Sequence, residues 1–489
     1  MVDGFEGLPL ITTTLAMGEV LSGGRSAALP GAPHCERTGP DPDDDAHTRD
    51  VTAARAARRS HGVTARHLPS YTCDAETMSI IITNARPWGG PAQDITIDGD
   101  TFTGFADAGT SAPHGPAAPA AEPALGAHGT DTAPEVIDGR GLLALPGIVN
   151  GHAHVDKSWL GLPWQSYGGE PGTDGRIRHE RARRDELGIP SAALSSRVLD
   201  AMVGHGTTAI RSHVDVDLGI GLSGIDAVRE AVAAYDGALT VEIVAFPQDG
   251  VLRRPGVVDL LRRAAESGVE HIGGLDPAGI DRDPVGQIDA LVDIARDTGV
   301  GIDIHLHDPA ELGVFQIELL LDRMERWELS SPVNIAHGFA VAQIDAAGQR
   351  DLLARMGGLG VTMSTVAPPR LGAAQLPLHA LREHGVRLTL GTDGIRDLWS
   401  PYGTGDTLGI AWQYARGSGL VRDEDLLDVV RTATSDGAWA VGRADHDLTP
   451  GARADLVLVD AENPMDALVR LPERRLVVGG GRVLRSTLG

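Results

Sequence analysis

The chain has 489 residues, with 42 basic against 67 acidic side chains for a formal charge of −25, and is 42% hydrophobic but only 4% aromatic. That length exceeds one ordinary core and fits a large barrel with a smaller module, while the acidic balance argues against nucleic acid or an anionic membrane as partner. No apolar run approaches the roughly 18 residues of a membrane span, and the N-terminus lacks a basic segment followed by an apolar one, so a cytoplasmic protein is expected. The two cysteines, Cys35 and Cys73, both precede residue 78, which leaves the folded body without a disulfide or a thiolate metal site.

Residues 1–77 scatter Gly, Pro, Asp and Arg without helical or strand period, as in Gly39-Pro40-Asp41-Pro42-Asp43-Asp44-Asp45. They read as a disordered N-terminal extension or the product of a misplaced start codon, because at Met78 the text changes abruptly to Ser79-Ile80-Ile81-Ile82-Thr83. Residues 78–141 and 445–489 carry strand signals separated by turns and are expected to form one small β-sandwich module from both chain ends. A low-complexity stretch of Ala, Pro, Gly and His over 108–132 reads as a flexible insert in it.

Between these parts, residues 142–444 alternate short β-branched runs with helical segments rich in Arg, Glu and Ala. Eight strands are predicted, over 142–154, 207–216, 239–248, 271–276, 301–307, 333–337, 360–366 and 387–393. The alternation implies an α/β fold of parallel strands with crossover helices. Eight such units over about 250 residues favour a (β/α)8 TIM-like barrel over an open doubly wound sheet. His152 and His154, His213, Gln248, His305 and His307, His337 and Asp393 all fall at or near the C-terminal ends of these strands. A barrel gathers those ends at one mouth.

Lys157 is the only lysine in the chain, three residues beyond His154 in Gly151-His152-Ala153-His154-Val155-Asp156-Lys157. Where charge alone matters arginine has replaced lysine, so this position is one where a compact ammonium fits and a planar guanidinium does not. His152 and His154 are two apart on an apolar strand, which turns both imidazoles to one side. With His305, His337 and Asp393 they form a set of neutral nitrogens and one carboxylate suited to one divalent metal ion, zinc or iron, rather than Mg²⁺ or Ca²⁺. A metal so held lowers the pKa of its water towards about 7.

The ordered set His152-x-His154, His305, His337 and Asp393 resembles the amidohydrolase superfamily, over residues 78–489. Within it the text is similar to the branch of cytosine deaminases and N-isopropylammelide amidohydrolases. Ala245-Phe246-Pro247-Gln248 resembles that branch's Ala-Phe-Pro-Gln strand, and Arg211-Ser212-His213-Val214-Asp215 its Arg-Thr-His-Val-Asp. Trp399, followed by Pro401-x-Gly403-Thr404, resembles its pocket-closing loop, and the His-x-His-x-Asp-Lys form ending in Lys157 is found in some of these relatives. The resemblance implies His152, His154, His305 and Asp393 as metal ligands, with His337 beside the water or substrate. The superfamily's lysine-bridged two-metal centre is excluded, since the fourth predicted strand offers no lysine.

Two departures bear on chemistry. The family's proton-carrying glutamate is replaced by Asp308, which reads as a shorter proton shuttle or as a cap of the helix opening at Pro309, with Glu311 as the other candidate. Gly394 stands where cytosine deaminases have a second acid, which weighs against cytosine itself. Trp159 and Trp164 are candidates for the pocket or for core packing, and His205, His213 and His307 for supporting roles; His307, two residues from His305, also faces the same side and could be confused with it as the ligand.

The sequence thus reads as a metal-dependent hydrolase attacking a C–N bond of a small cyclic amidine or aminated N-heterocycle. In that reading Asp308, His337, Asp393 and Lys157 are catalytic, and Gln248 and Trp399 bind substrate. Cyclic amides or exocyclic N-alkyl amines are the alternative substrates, and a catalytically silent small-molecule-binding barrel is the alternative from another class. The partner is a small-molecule substrate, and a homo-oligomer is expected.

Overall fold

The computed structural model describes residues 79–110, 133–366 and 373–488. The extension expected over 1–77 lies outside the described residues, as does nearly all of the low-complexity insert. The chain opens with β1 (Ser79–Pro87), β2 (Gln93–Asp98), β3 (Thr101–Asp107), β4 (Glu135–Asp138) and β5 (Leu143–Pro146). In β1 and β2, Ile80, Ile82, Ile95 and Ile97 alternate inward onto one apolar core with Phe102.

The predicted strand over 142–154 is divided at Gly147. Its first part is β5, which pairs with β1 in the small sheet. Its second part, β6 (Ile148–His154), opens a second sheet. The unbroken apolar text conceals this division, since both parts are fully buried.

The second sheet continues through β7 (Thr207–Asp215), β8 (Thr240–Phe246), β9 (His271–Leu275), β10 (Gly301–Leu306), β11 (Val333–His337), β12 (Thr362–Thr365), β13 (Leu388–Leu390) and β14 (Asp393–Gly394). Each strand pairs in parallel with its neighbours in chain order. β13 and β14 are two halves of one eighth strand, interrupted at Gly391 and Thr392. The first half pairs with β12 and the second with β6, so the sheet closes on itself. The fold is a TIM-like (β/α)8 barrel with a separate sheet module.

Crossover helices cover the barrel: α1 (Thr173–Leu187) and α2 (Ala192–Gly204) both follow β6, and α3 (Ser223–Ala233), α4 (Val257–Glu266), α5 (Pro284–Thr298), α6 (Ala310–Trp327), α7 (Ala346–Gly358) and α8 (Leu378–Glu383) each link one later strand to the next. Helices α9 (Thr407–Gly417) and α10 (Asp423–Thr432) follow the last strand. α2 buries Leu194, Val198, Leu199, Met202 and Val203, the apolar face expected of a crossover helix. α1 buries only Gly175, Ile177, Glu180 and Arg184, so polar contacts rather than an apolar stripe hold it.

The chain then returns to the first sheet through β15 (Leu456–Val459), α11 (Pro464–Arg470), β16 (Arg474–Gly479) and β17 (Arg482–Ser486). β15 pairs antiparallel with β5, giving an eight-stranded sheet built from both ends of the described chain. Among the described residues, no helix is long and apolar enough to cross a membrane.

At the interruption of the eighth strand, a side chain replaces the backbone ladder. Buried Asn150 of β6 donates through Nδ2 to Thr392 Oγ1 (2.8 Å) and accepts from the Thr392 backbone N–H at Oδ1 (3.1 Å). Asn150→Ala removes both bonds and leaves Thr392 groups unsatisfied, so unfolding free energy should fall by about 2 kcal/mol. Urea denaturation checks this; an unchanged midpoint would mean that Asn150 does not hold the closure.

Candidate metal centre

Strand period two turns His152 and His154 of β6 to the same side, into the barrel mouth. His213 of β7, His305 of β10, His337 at the end of β11 and Asp393 of β14 converge on them. His154 Nε2 lies 3.3 Å from Asp393 Oδ1 and 3.4 Å from His305 Nε2, and His152 Nε2 lies 3.8 Å from the same Asp393 oxygen. Ligand atoms of His152, His154, His213 and His305 lie within 4.8 Å of one another, as do those of His152, His337 and Asp393. A Cβ at Gly391 would overlap the backbone and Cβ of His152, so glycine lets the eighth strand run this close to β6. His337 and Asp393 have left-handed backbones (φ 67° and 59°), as does Asp276 just after β9 (φ 33°). Such strain in residues other than glycine collects at functional positions.

All five imidazoles are buried. Burial, then the neighbouring imidazoles, push His152 and His305 well below the ordinary histidine range. Burial is also the main cause lowering His154 and His337 to about 3. The rings of His152, His154, His305 and His337 are therefore neutral at pH 7 and present lone pairs. His152 Nε2, His154 Nδ1, His305 Nδ1 and His337 Nδ1 find no hydrogen-bond partner among the described residues. Buried ring nitrogens left without a partner cost stability by themselves. They fit a divalent cation of the zinc or iron kind.

The remaining contacts orient the cluster. His213 Nε2 lies 3.2 Å from Asp303 Oδ1, and Ser364 Oγ lies 3.5 Å from His152 Nδ1. Asp276 accepts from His307 through both the backbone N–H (2.5 Å) and Nδ1 (3.0 Å), and the His307 ring stacks on His337 at 4.4 Å. Side chains of His307 (45% exposed) and Asp393 (44%) face the open mouth, unlike the other imidazoles. Burial opposes protonation of His307, but the Asp276 hydrogen bond outweighs it and raises its pKa.

Beside the cluster stands a second polar group. Phe246 stacks on His305 at 4.1 Å, and Lys157 Nζ sits 5.7 Å above the Phe246 ring and 5.6 Å from the Trp399 ring. Lys157 is 3.3 Å from Asp215 and donates to Gln248 Oε1. Gln248 Nε2 and the Trp399 indole N–H both donate to Glu180 of α1. Burial opposes the ammonium, yet the carboxylates of Asp215, Glu180, Asp156 and Asp397 outweigh it and raise the Lys157 pKa. Burial also raises Asp156 to about 6 and Asp397 to about 7.

A model of the amidohydrolase family matches residues 191–485. The protein YahJ of Escherichia coli (strain K12) is 31% identical over 352 residues, covering 71% of this chain and 76% of its own. The chain belongs to the amidohydrolase family. The N-isopropylammelide isopropyl amidohydrolase of Pseudomonas sp. (strain ADP) is 29% identical over 365 residues, 72% of this chain and 88% of that protein. The crystal structure of N-isopropylammelide isopropylaminohydrolase from Burkholderia multivorans ATCC 17616 is 36% identical, with a TM-score of 0.76 over 84% of this chain and 99% of that one.

In this amidohydrolase the structure brings together His152, His154, His305, His337 and Asp393, and gathers Lys157, Gln248 and Trp399 beside them. Asp308 is engaged elsewhere: its Oδ2 accepts from the Gly279 N–H and the Gln316 amide, both at 3.0 Å. It is not the side-chain cap of α6, which has none, and Glu311 is exposed in the first turn of that helix. Trp159 is buried, with its N–H on the Asp397 carbonyl, and Trp164 is exposed. His205 lies at the end of α2, 3.7 Å from Asp406. Sequence reasoning missed Glu180 and Asp276 and gave His213 and His307 only supporting parts; for the histidines, strand alternation beside His152 and His305 was the available signal. His305→Ala should leave the purified protein with less than a tenth of the wild-type metal, by plasma mass spectrometry; full metal content would remove His305 from the ligands.

Proposed function

We propose that this metal-dependent C–N hydrolase acts on a small cyclic amidine or aminated N-heterocycle, with exocyclic N-alkyl amines and cyclic amides in the same class. The observation that carries the reading is the convergence of buried, neutral imidazoles and Asp393 at the barrel mouth, where Nε2 of His152 and of His154 lie within 3.8 Å of one Asp393 oxygen, beside a polar wall able to hold a ring. The likeness to the two N-isopropylammelide hydrolases supports removal of an alkylamino group from a ring carbon.

In this reading His152, His154, His305 and Asp393 hold one divalent ion, zinc or iron. The ion supplies Lewis acidity that makes water nucleophilic near neutral pH. Asp393, partly open to the mouth, takes the proton of the attacking water. Water adds to the ring carbon, the C–N bond breaks, and the nitrogen leaves as an amine once protonated. His337 steadies the developing tetrahedral centre. Lys157 orients the ring by charge, Gln248 reads its carbonyl or N–H edge, and Trp399 covers it.

The proton for the leaving nitrogen fits His307 better than Asp308. Asp276 accepts from His307 Nδ1 and so fixes the tautomer of a ring that is 45% exposed, whereas one Asp308 oxygen already holds two hydrogen bonds. His307→Gln should retain metal yet lose turnover by roughly 100-fold or more, the usual scale of a lost general acid–base group. Asp308→Asn should keep most of its turnover. The reverse pattern in steady-state assays would return the shuttle to Asp308, and full metal without hydrolysis of any pyrimidine, triazine, pterin or cyclic urea would favour a silent binding barrel.

A further inference from the structure

One helix packs beside the site largely through polar contacts. α1 turns Ile177, Glu180 and Arg184 inward, and Ile177 packs with Phe246, Leu275 and Ile280 against Trp399. Ion pairs pin it along its length: Asp174 to Arg253 (2.5 Å), Arg181 to Asp249 (2.6 Å), and Arg184 to Asp217, where Nη2 lies 3.0 Å from Oδ1. Arg176 adds a bond to the Trp399 carbonyl at 3.3 Å. In the middle of this helix, Glu180 Oε2 accepts from both the Gln248 amide and the Trp399 indole. Glu180 and Gln248 are both buried.

A primary amide has two N–H donors and two acceptor lone pairs. Lys157 takes one lone pair of Gln248 and Glu180 takes one N–H, which leaves one donor and one acceptor unspent. Exchanging oxygen and nitrogen would set the carbonyl against a carboxylate and the NH₂ against an ammonium, two repulsive pairings away from water. The amide therefore has a single orientation, fixed from both sides by full charges.

We propose that Glu180 is a specificity-determining positioning residue. With Lys157 it locks the Gln248 amide and the Trp399 indole so that the pocket offers one donor beside one acceptor. That pair is complementary to a cyclic amide or amidine edge, an N–H next to a carbonyl or ring nitrogen. The proposal rests on the assignment of Gln248 and Trp399 to substrate binding.

The test uses metal-loaded protein, N-isopropylammelide, and the same compound methylated at the ring N–H. Wild type should prefer the unmethylated probe at least 100-fold in kcat/KM. Glu180→Ala, with metal content matched to wild type, should raise KM for that probe at least tenfold and cut the preference below tenfold; Glu180→Asp should restore part of both. Hydrogen exchange over 173–187 supplies the second readout and should rise at least tenfold in Glu180→Ala. Unchanged exchange overturns the proposal. So does raised exchange with unchanged KM and preference, since Glu180 would then be packing only. Should wild type hydrolyse neither probe, the functional reading fails on its own, and Glu180 is judged by exchange with the probe present: protection of 173–187 in wild type that Glu180→Ala loses supports it, and no protection overturns it.

Discussion

The site depends on one seam, the line where the last strand of the barrel meets the first. His152 and His154 stand at the end of β6, and Asp393 is separated from them by more than two hundred residues of chain. They come within 3.3 to 3.8 Å only because β14 pairs with β6. Asn150 and Thr392 hold that junction where the eighth strand is interrupted, and Gly391 keeps it free of side-chain bulk. Closure of the fold and assembly of the candidate ligand set are thus the same event. Misplacing the seam would separate the carboxylate from the imidazoles without disturbing any other strand pairing.

Two electrostatic environments share the mouth. On one side burial keeps the imidazoles neutral, so their lone pairs are free to ligate. On the other, Lys157 lies among Asp156, Glu180, Asp215 and Asp397, with burial raising the carboxyls of Asp156 and Asp397 towards neutrality. Phe246 separates the two, stacked on His305 and lying below Lys157. Lys157 reaches Asp215 and Gln248 between two aromatic rings, a slot that a branched, planar guanidinium does not fill. That is a physical reason for lysine here in a chain that otherwise uses arginine.

Much of this was legible in the sequence because the signals were periodic. Alternation placed His152 and His154 on one face, and strand ends placed His305, His337 and Asp393 at the mouth. The break at Gly147 was hidden by an apolar run that is buried on both sides of it. Spacing to His305 points to Asp308, and the contact that holds its carboxylate, from Gln316 of the helix entered after Pro309 and Ala310 (φ 47°), has no mark in that spacing. Asp276 was read only as a place without lysine, since its left-handed backbone has no mark in the text. Glu180 was invisible for another reason. α1 has no apolar period to tell which face turns inward, and its partners lie 68 and 219 residues away.

The central claim is that the seam between β6 and β14 is where a single metal binds. Anomalous diffraction from crystals of the purified protein, recorded on either side of the metal's absorption edge, tests it most directly. The account predicts one peak per chain, within coordination distance of nitrogens from His152, His154 and His305 and of an Asp393 oxygen. A peak that touches the imidazoles but not Asp393, or a second peak of equal height in the same mouth, would contradict it.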